Sequence, residues 1–432
     1  MSKLLVVCDD TVGKNMAGPA IRYVEFSRAL SRNHDVTLAA SVITDMLDEP
    51  FSIVPFDRTS LRTLANDSDV LIMSGFILRK FPFLKKIPAP VVVDIYDPFI
   101  LENLEIHRDR PLAERTSIHA GDLGVQLELL LNGDFFLCAS ERQRDFWLGM
   151  LTALGRINPE QYDTDKEARR LIDVVPFGIP AEPPEHLKPV LKGVVPGIRD
   201  TDKVLLWGGG IWNWFDPLTT LKAMIQIGRE RDDIKLFFLG TKHPNPDIPE
   251  MDVARQAVAL AQQAGLTGRT VFFNEWAPYE DRQNYLLEAD AGISLHFNHL
   301  ETKFSFRTRI LDCIWASLPV ITTVGDSLSE EVEKEQLGLT VEPEDINGTV
   351  TAILRLLDDS EFNSRCRENL VRIAPDYYWR IAAKPLIRFC DTSYRTRDVA
   401  DSSISSDSLF DGAPRTKNSI FGRIARRLKD LR

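Results

Sequence analysis

The residues best able to bind an anion lie in the segment ETKFSFRTRILD, residues 301–312. Ser305 is a natural N-cap for a helix that the apolar spacing predicts over 306–317. Three cations surround the start of that helix: Lys303, Arg307 and Arg309. Cations normally disfavour a helix N-terminus because the macrodipole is already positive there, so this cluster favours a bound anion such as a phosphate. The alternative is a solvated charged turn paired with Glu301.

A glycine-rich segment, WGGGIWNWFDP at 207–217, directly follows a predicted strand. Glycines such as Gly209 and Gly210 let the backbone approach a ligand closely. Asp216 followed by proline is a strong helix start. Trp212 and Trp214 either pack in the core or line a binding pocket.

The first half of the chain has a second glycine loop and several possible acid–base groups. Gly13 and Gly18 lie between the first predicted strand and the first predicted helix, and Arg22 at the helix start is a possible anion contact. Asp97 follows a buried strand whose last residue, Asp94, reads as a structural acid. His119 is the histidine that we consider for catalysis. Neither half has the Gly-x-Gly-x-x-Gly fingerprint of a dinucleotide enzyme.

These residues are spaced by elements that alternate strand and helix in both halves of the chain. The strands lack an apolar–polar alternation, as expected where helices cover both faces of a parallel sheet. We predict strands in the first half at 4–8, 36–40, 70–73, 91–94, 135–139 and 173–176. In the second half we predict them at 204–207, 235–239, 271–273, 292–295, 320–323 and 339–341. The Pro- and Gly-rich stretch 180–197 reads as a linker between the halves.

The bulk composition excludes several classes of protein. The chain has 432 residues and a formal charge of −11, so it lacks the overall positive charge that attracts nucleic acid. Its five scattered cysteines fit neither a zinc site nor a disulfide framework, so we expect buried free thiols. The N-terminal apolar run is too short for a signal peptide, and no stretch reaches the length of a membrane span. We therefore expect a cytoplasmic protein.

The segment LDCIWASLPVITT at 311–323 resembles the Leu-Glu-Ala-x-Ala-x-Gly-x-Pro-Val segment of glycosyltransferase family 4. This resemblance implies a GT-B fold, with two Rossmann-like, doubly wound parallel-sheet domains facing a cleft. Asp312 matches the family acid that holds the donor ribose, and Phe306 matches the Phe of the family's Glu-Gly-Phe-Gly. Strict spacing puts the other family acid at Phe304. Glu301 takes that place only if the loop carries three extra residues.

The resemblance also implies roles for the other candidate residues. The donor-binding set is Lys303, Ser305, Phe306, Arg307, Arg309, Asp312, Gly209, Gly210 and Trp212. The family's Gly-Arg and Lys-Gly cations are missing after the glycine-rich strand, so the cations at 303–309 would substitute for them. The catalytic set is Asp97, Glu301 and His119, and the glycine loop of the first domain comprises Gly13, Gly18 and Arg22. No metal site stands out, and no cofactor is expected because the nucleotide sugar is a substrate.

The predicted organisation is an acceptor-side domain at 1–190, a donor domain at 191–374, a crossover helix at 375–395 and a tail at 396–432. The implied reaction is a retaining, metal-free transfer of a sugar to a saccharide or lipid-linked acceptor, in surface polysaccharide or glycoconjugate synthesis. The alternatives are a GT-B sugar-nucleotide epimerase or pseudo-transferase, or a catalytically inactive GT-B binding partner. Residues 419–432 form a basic amphipathic pattern with a net charge of +4, which favours an anionic membrane surface at the inner face of the cell membrane. A soluble tail, or a helix docked on the acidic body, is the alternative.

Overall fold

The computed structural model describes residues 1–14, 16–45, 48–241 and 250–397. The chain divides into two compact units. The first comprises Met1–Val12, Ala17–Val175 and the chain from Ala383 onward, and the second comprises Gly13–Met16 and Pro176–Ala382. Of the predicted tail at 396–432, only Thr396 and Arg397 are described, and the basic amphipathic pattern at 419–432 lies outside the described residues.

The first unit is built on a parallel sheet of seven strands in the order β3-β2-β1-β4-β5-β6-β7. Its central strands contain continuous runs of apolar, buried residues, such as Leu4–Cys8 and Val70–Met73, which explains why they carry no alternation. The strands are β1 (Lys3–Val12), β2 (Asp35–Ile43), β3 (Ser52–Pro55), β4 (Val70–Ser74), β5 (Val91–Asp94), β6 (Phe135–Cys138) and β7 (Ile172–Val174).

The helices of the first unit connect these parallel strands. Ser140 caps one of them, since its side chain accepts a hydrogen bond from the Gln143 amide at 3.2 Å. The helices are α1 (Gly18–Leu30), α2 (Arg58–Asn66), α3 (Ile77–Lys80), α4 (Phe99–Ile106), α5 (Leu112–Asn132), α6 (Glu141–Ala153) and α7 (Pro159–Thr164), with a 3-10 turn at Pro82–Lys86.

The chain returns to the first unit near its C-terminal end and is held there by a buried carboxylate. Asp134 is fully buried and accepts hydrogen bonds from the backbone amides of Thr396 and Arg397, at 2.8 and 2.9 Å. It also accepts one from the amide of Val91 at 2.9 Å. The Arg397 guanidinium donates to the carbonyls of Ile87 and Ala89, at 2.8 and 3.0 Å. We call residues 395–397, held in this way, the C-terminal clamp.

The second unit has a parallel sheet of six strands in the order β10-β9-β8-β11-β12-β13. Gly338 begins its last strand at a place where a Cβ would lie 1.9 Å from the Val320 carbonyl oxygen, so only glycine fits. The strands are β8 (Lys203–Trp207), β9 (Ile234–Phe238), β10 (Val271–Phe273), β11 (Ala291–Ser294), β12 (Val320–Thr323) and β13 (Gly338–Val341).

Helices again follow the strands of the second unit, and the last helix of the chain lies in the first unit. Those of the second unit are α8 (Pro217–Ile227), α9 (Asp252–Gln263), α10 (Arg282–Glu288), α11 (Leu300–Phe304), α12 (Thr308–Trp315), α13 (Ser327–Lys334), α14 (Ile346–Asp358), α15 (Ser360–Ile373) and α16 (Trp379–Ala382). Two 3-10 turns lie at Tyr279–Asp281 and Ala374–Tyr377, and α17 (Lys384–Asp391) belongs to the first unit.

The prediction of two parallel α/β units is therefore confirmed. The stretch 180–197, expected as a linker, is packed on the second unit. The Glu288 carboxylate of α10 accepts hydrogen bonds from the amides of Val190, Leu191 and Lys192, at 2.8, 2.7 and 3.0 Å. All five cysteines are free and buried, as predicted.

Candidate donor site

The two clusters singled out in the second half come together at the switch point of the second sheet. Strand order reverses between β8 and β11, which are neighbours in the sheet, and ligands of open α/β sheets bind beyond the carboxyl ends of such strands. The glycine-rich segment follows β8, while α11 and α12 follow β11. Arg309 Nη2 joins the two by donating to the Gly210 carbonyl oxygen at 2.8 Å.

The helix that carries the predicted acid does not begin where the sequence indicated. Helix α12 begins at Thr308, and its N-cap position is occupied by Arg307 without a side-chain cap. Ser305 instead ends the short helix α11, and its hydroxyl donates to the Thr302 carbonyl at 3.0 Å. The prediction of Ser305 as an N-cap is therefore wrong, because the unpredicted helix α11 ends at this residue and α12 begins three residues later.

Arg307 and Glu301 form a buried, bidentate ion pair. The two guanidinium nitrogens Nη1 and Nη2 donate to the two carboxylate oxygens at 2.9 and 2.7 Å. Their side chains are 4% and 1% exposed. The two charges compensate each other. Arg307 is therefore not the free donor-binding cation, and Glu301 not the free catalytic acid, that the sequence predicted. Lys303 lies exposed on α11, and Phe306 is half-buried between the two helices. Of the three predicted cations, only Arg307 has a carboxylate partner among the described residues. The strongest candidate of the other two is the one whose guanidinium has a buried, unpaired nitrogen.

That candidate is Arg309. Its guanidinium lies 3.7 Å from the centre of the Phe215 ring and 5.4 Å from that of Trp207. Its Nη1 atom is buried without a hydrogen-bond partner. No carboxylate among the described residues pairs with it in a salt bridge. Burial, and then the nearby charge of Arg307, lower the pKa of Arg309 to about 9. A cation in this setting is stabilised by an anion.

Glycines keep the space next to Arg309 clear of side chains. Gly209 has a φ of 99°, and a Cβ there would lie 3.8 Å from Arg309 Nη2. A Cβ at Gly210 would lie 3.5 Å from the Trp212 indole nitrogen. The rings of Trp212 and Trp214 are parallel, with centres 5.2 Å apart. Close by, the N-terminus of α8 is fixed by Asp216, which accepts from the Thr219 amide at 2.9 Å as predicted.

Asp312 lies on α12 with a side chain that is 36% exposed, so its carboxylate is accessible. The partner of Asp312 was not predicted from the sequence. It is Arg282, whose Nε donates to Asp312 Oδ1 at 3.2 Å. Arg282 begins α10, 30 residues away in the chain, and no local pattern links the two.

In the first unit, Arg22 does not serve as the predicted anion contact. It is fully buried and binds Asp94 through two nitrogens, Nε at 2.6 Å and Nη2 at 3.0 Å. It also donates to the Val175 carbonyl at 2.7 Å. The pair ties α1 to the ends of β5 and β7, which makes both residues structural. Gly18 is the first residue of α1. Gly13, predicted in the glycine loop of the first domain, has a φ of 154° and belongs to the second unit.

The two acid–base candidates of the first unit lie on different elements. Asp97 follows β5, and His119 lies half-buried within α5. Burial raises the pKa of Asp97 and the charge of Asp94 adds to this, against a lowering by a hydrogen bond with Glu102. An acid with a raised pKa is a candidate for proton transfer, but the same shift occurs in purely structural acids.

Two further features concern metals and membranes. The part of the chain that the structure describes has no group of three or more His, Cys, Asp or Glu residues arranged to hold a metal ion. Among the described helices, none is both long and apolar enough to cross a membrane.

Several proteins of known structure are similar to this chain. Solved structures similar to this chain include sucrose-phosphate synthase from Thermosynechococcus elongatus (15% identity, TM-score 0.59, 90% of this chain and 98% of that one). They also include WaaG, a glycosyltransferase involved in lipopolysaccharide biosynthesis (14%, 0.60, 92% and 100%). A third is HepE of Anabaena in complex with UDP-glucose (12%, 0.64, 91% and 100%). No curated protein sequence matches significantly.

These likenesses, with the two parallel sheets, define a protein of the GT-B fold. Residues 202–359, which include the whole candidate donor site, match the family model described as glycosyl transferases group 1. The second unit is therefore similar to the glycosyl transferases group 1 family over these residues.

Proposed function

We propose that this chain is a glycosyltransferase that takes a sugar from a nucleoside-diphosphate donor bound at the second unit. The observation that carries the proposal is Arg309, a cation without a carboxylate partner beside a loop kept open by Gly209 and Gly210. A diphosphate supplies the missing negative charge, and charge-assisted hydrogen bonds of this kind are the strongest in proteins. Arg309 comes from α12 but reaches the loop after β8, where the family's own cations are missing from this sequence.

Related proteins support the choice of donor. HepE of Anabaena was solved in complex with UDP-glucose, and a trehalose-6-phosphate protein of E. coli with UDP-2-fluoro glucose. Both have the fold of this chain, at 12% and 14% identity. We propose a nucleotide sugar as donor here, held by Arg309 at the diphosphate and by Asp312 at the ribose. Trp212 offers an aromatic face to the same ligand.

We propose that the transfer needs no metal and retains the configuration of the sugar. In this scheme Arg309 stabilises the charge that develops on the diphosphate as the glycosidic bond breaks, so positive charge is supplied by the protein. The resemblance to family 4 supports retention. The test is activity in EDTA, with the anomeric product identified by NMR, and loss of activity that added Mg²⁺ restores would contradict this part of the proposal.

The acceptor and the cellular setting extend the proposal. We propose a saccharide or lipid-linked acceptor for surface polysaccharide or glycoconjugate synthesis. Asp97 is an acid–base candidate of the first unit, because burial raises its pKa and so favours the protonated form that a general acid needs. The basic pattern at 419–432 supports peripheral binding to an anionic membrane at the cytoplasmic face, where each Lys or Arg contributes about 1 kcal/mol.

A sugar-nucleotide epimerase is the second candidate, and one likeness favours it. A putative UDP-N-acetylglucosamine 2-epimerase from Listeria monocytogenes shares the fold, with 14% identity and a TM-score of 0.54. Incubating the protein with a panel of nucleotide sugars and identifying the products separates the two. Release of nucleoside diphosphate with free or transferred sugar supports a transferase. An intact nucleotide carrying the epimeric sugar supports the epimerase, and no turnover with retained binding supports an inactive binding protein.

A further inference from the structure

Arg282 lies between two aromatic rings at the start of α10. Its guanidinium carbon is 3.6 Å from the centre of the Tyr279 ring and 4.6 Å from that of Trp315. Nη1 donates to the Tyr279 carbonyl oxygen at 3.0 Å. The side chain is 12% exposed. Contacts with two aromatic rings and a hydrogen bond from Nη1 restrict the orientation of the guanidinium.

Trp315, one of the two aromatic residues that contact Arg282, is itself held in place by a hydrogen bond. Its indole nitrogen donates to the Glu182 carbonyl oxygen at 2.8 Å. A ring held by a hydrogen bond at its polar end has little freedom to turn. The position of Arg282 is therefore determined by groups on three separate segments of the second unit.

The restricted guanidinium holds the Asp312 carboxylate through a single bond. Nε donates to Oδ1 at 3.2 Å, whereas Oδ2 has more than one free lone-pair direction. Asp312 lies three residues after Arg309, so the two are on adjacent positions of the same helical face. Arg282 thus holds one carboxylate oxygen, and the other accepts no hydrogen bond from the residues that the structure describes.

An ion pair that only connected α10 to α12 would not need the aromatic contacts and the extra hydrogen bond that fix Arg282. Arg231 shows the ordinary case: it pairs with Asp233 at 2.7 Å and with Asp358 at 3.0 Å, and its side chain is 33% exposed. Surface ion pairs of that kind contribute little to stability. At Arg282 two aromatic side chains are added, and the acid that is held lies one helical turn after Arg309 on α12.

We infer that Arg282 is a positioning residue that sets the Asp312 carboxylate to accept the hydroxyls of the donor ribose, so that it determines discrimination between ribo- and 2′-deoxyribonucleotides. This inference rests on the proposed function, because it needs a nucleotide at the second unit. A polar site built to bind a hydroxyl rejects an analogue that lacks it, since its own groups are left unpaired. Without Arg282 the carboxylate rotates, and the penalty for a missing hydroxyl decreases.

The experiment measures binding of UDP, GDP and ADP and of their 2′-deoxy forms by calorimetry, using the full chain. We expect the wild type to prefer the ribo form of the nucleotide that it binds best by about tenfold, as one charge-assisted hydrogen bond allows. Arg282→Met should reduce this preference to about threefold or less. Arg282→Lys, which keeps the charge but not the planar stack, should give an intermediate preference. Arg231→Met is the matched control and should keep the wild-type preference.

Each outcome decides between the hypotheses. If the wild type binds none of the three nucleotides, the proposed function fails before the inference is reached. If the wild type binds nucleotide but Arg282→Met keeps the full ribose preference, the inference is wrong and the pair is only structural. The same holds if the wild type shows no preference for ribose. If the Met variant does not fold, as judged by circular dichroism, the preference measured for Arg282→Lys decides in the same way.

Discussion

Replacing Arg309 with Met tests the donor site most directly, because the neighbouring Arg307 provides a contrasting case. Arg309 has no carboxylate partner among the described residues, whereas Arg307 is matched by Glu301 in a pair that is 4% and 1% exposed. Removing Arg309 should therefore impair ligand binding and leave the fold intact. Removing Arg307 should impair the fold.

The magnitudes follow from the contacts. Arg309→Met loses a hydrogen bond to the Gly210 carbonyl and a cation–π contact with Phe215, each worth about 1 kcal/mol, but also removes an unpaired charge from a partly buried position. We expect the free energy of unfolding to change by less than about 1.5 kcal/mol. Affinity for a nucleoside diphosphate should fall by roughly tenfold to a hundredfold, for one lost charge-assisted contact of about 1.5–3 kcal/mol.

Arg307→Met should behave in the opposite way. It leaves the Glu301 carboxylate buried without its guanidinium partner and, among the described residues, with only His299 Nδ1 nearby, at 3.6 Å. This loss costs about 3–5 kcal/mol and should lower the melting temperature by several degrees. Calorimetric titration with UDP, GDP and ADP gives the affinities, and thermal unfolding without ligand gives the stabilities. The control is Arg372→Met, which breaks an exposed pair with Glu335 and should change neither quantity. Unchanged nucleotide affinity in a folded Arg309→Met protein would refute the assignment of the diphosphate site.

Further predictions concern other parts of the molecule. Burial raises the pKa of Asp97, so ionisation of this carboxyl opposes folding as the pH rises through that pKa. The melting temperature of Asp97→Asn relative to wild type should therefore increase between pH 4 and 8. A constant difference between the two proteins would contradict the shift. Gly338→Ala should destabilise the second unit strongly, by thermal unfolding, because its Cβ would overlap the carbonyl oxygen of β12, 1.9 Å away. Burial raises the pKa of Cys8 to about 12, so the thiols should react with a thiol reagent only slowly until denaturant is added. A protein ending at Asn418 should sediment less with anionic liposomes than the full chain, with neutral liposomes as the control, and equal sedimentation would exclude the tail as a membrane anchor.

The sequence predicted the architecture because buried parallel strands appear as continuous apolar runs. The bounds of β5, β10 and β12 match the predicted segments. Strand β3 (Ser52–Pro55) was missed because it lies at the sheet edge with exposed ends, so its four residues carry no such run. Local pattern is informative where burial is complete on both faces, and it fails at edges.

The sequence located the donor segment but not the pairing within it. It pointed to cations at 303–309, yet only contacts between side chains distinguish Arg307, matched by Glu301, from Arg309, which is unmatched. The short helix α11 went unrecognised because five residues are too few to show a helical period. The Arg282–Asp312 contact spans 30 residues and depends on tertiary packing, so no local pattern could reveal it.

The C-terminal clamp has a consequence for how the protein is made. Asp134 is fully buried, and its partners at Thr396 and Arg397 are synthesised some 260 residues later. Phe135 likewise stacks on Phe389 of α17, with ring centres 4.7 Å apart. On the ribosome the first unit must therefore wait, with a carboxylate and an aromatic face uncovered, while the second unit is translated and free to fold. The N-terminal half of the chain is thus the last part of the protein to be completed.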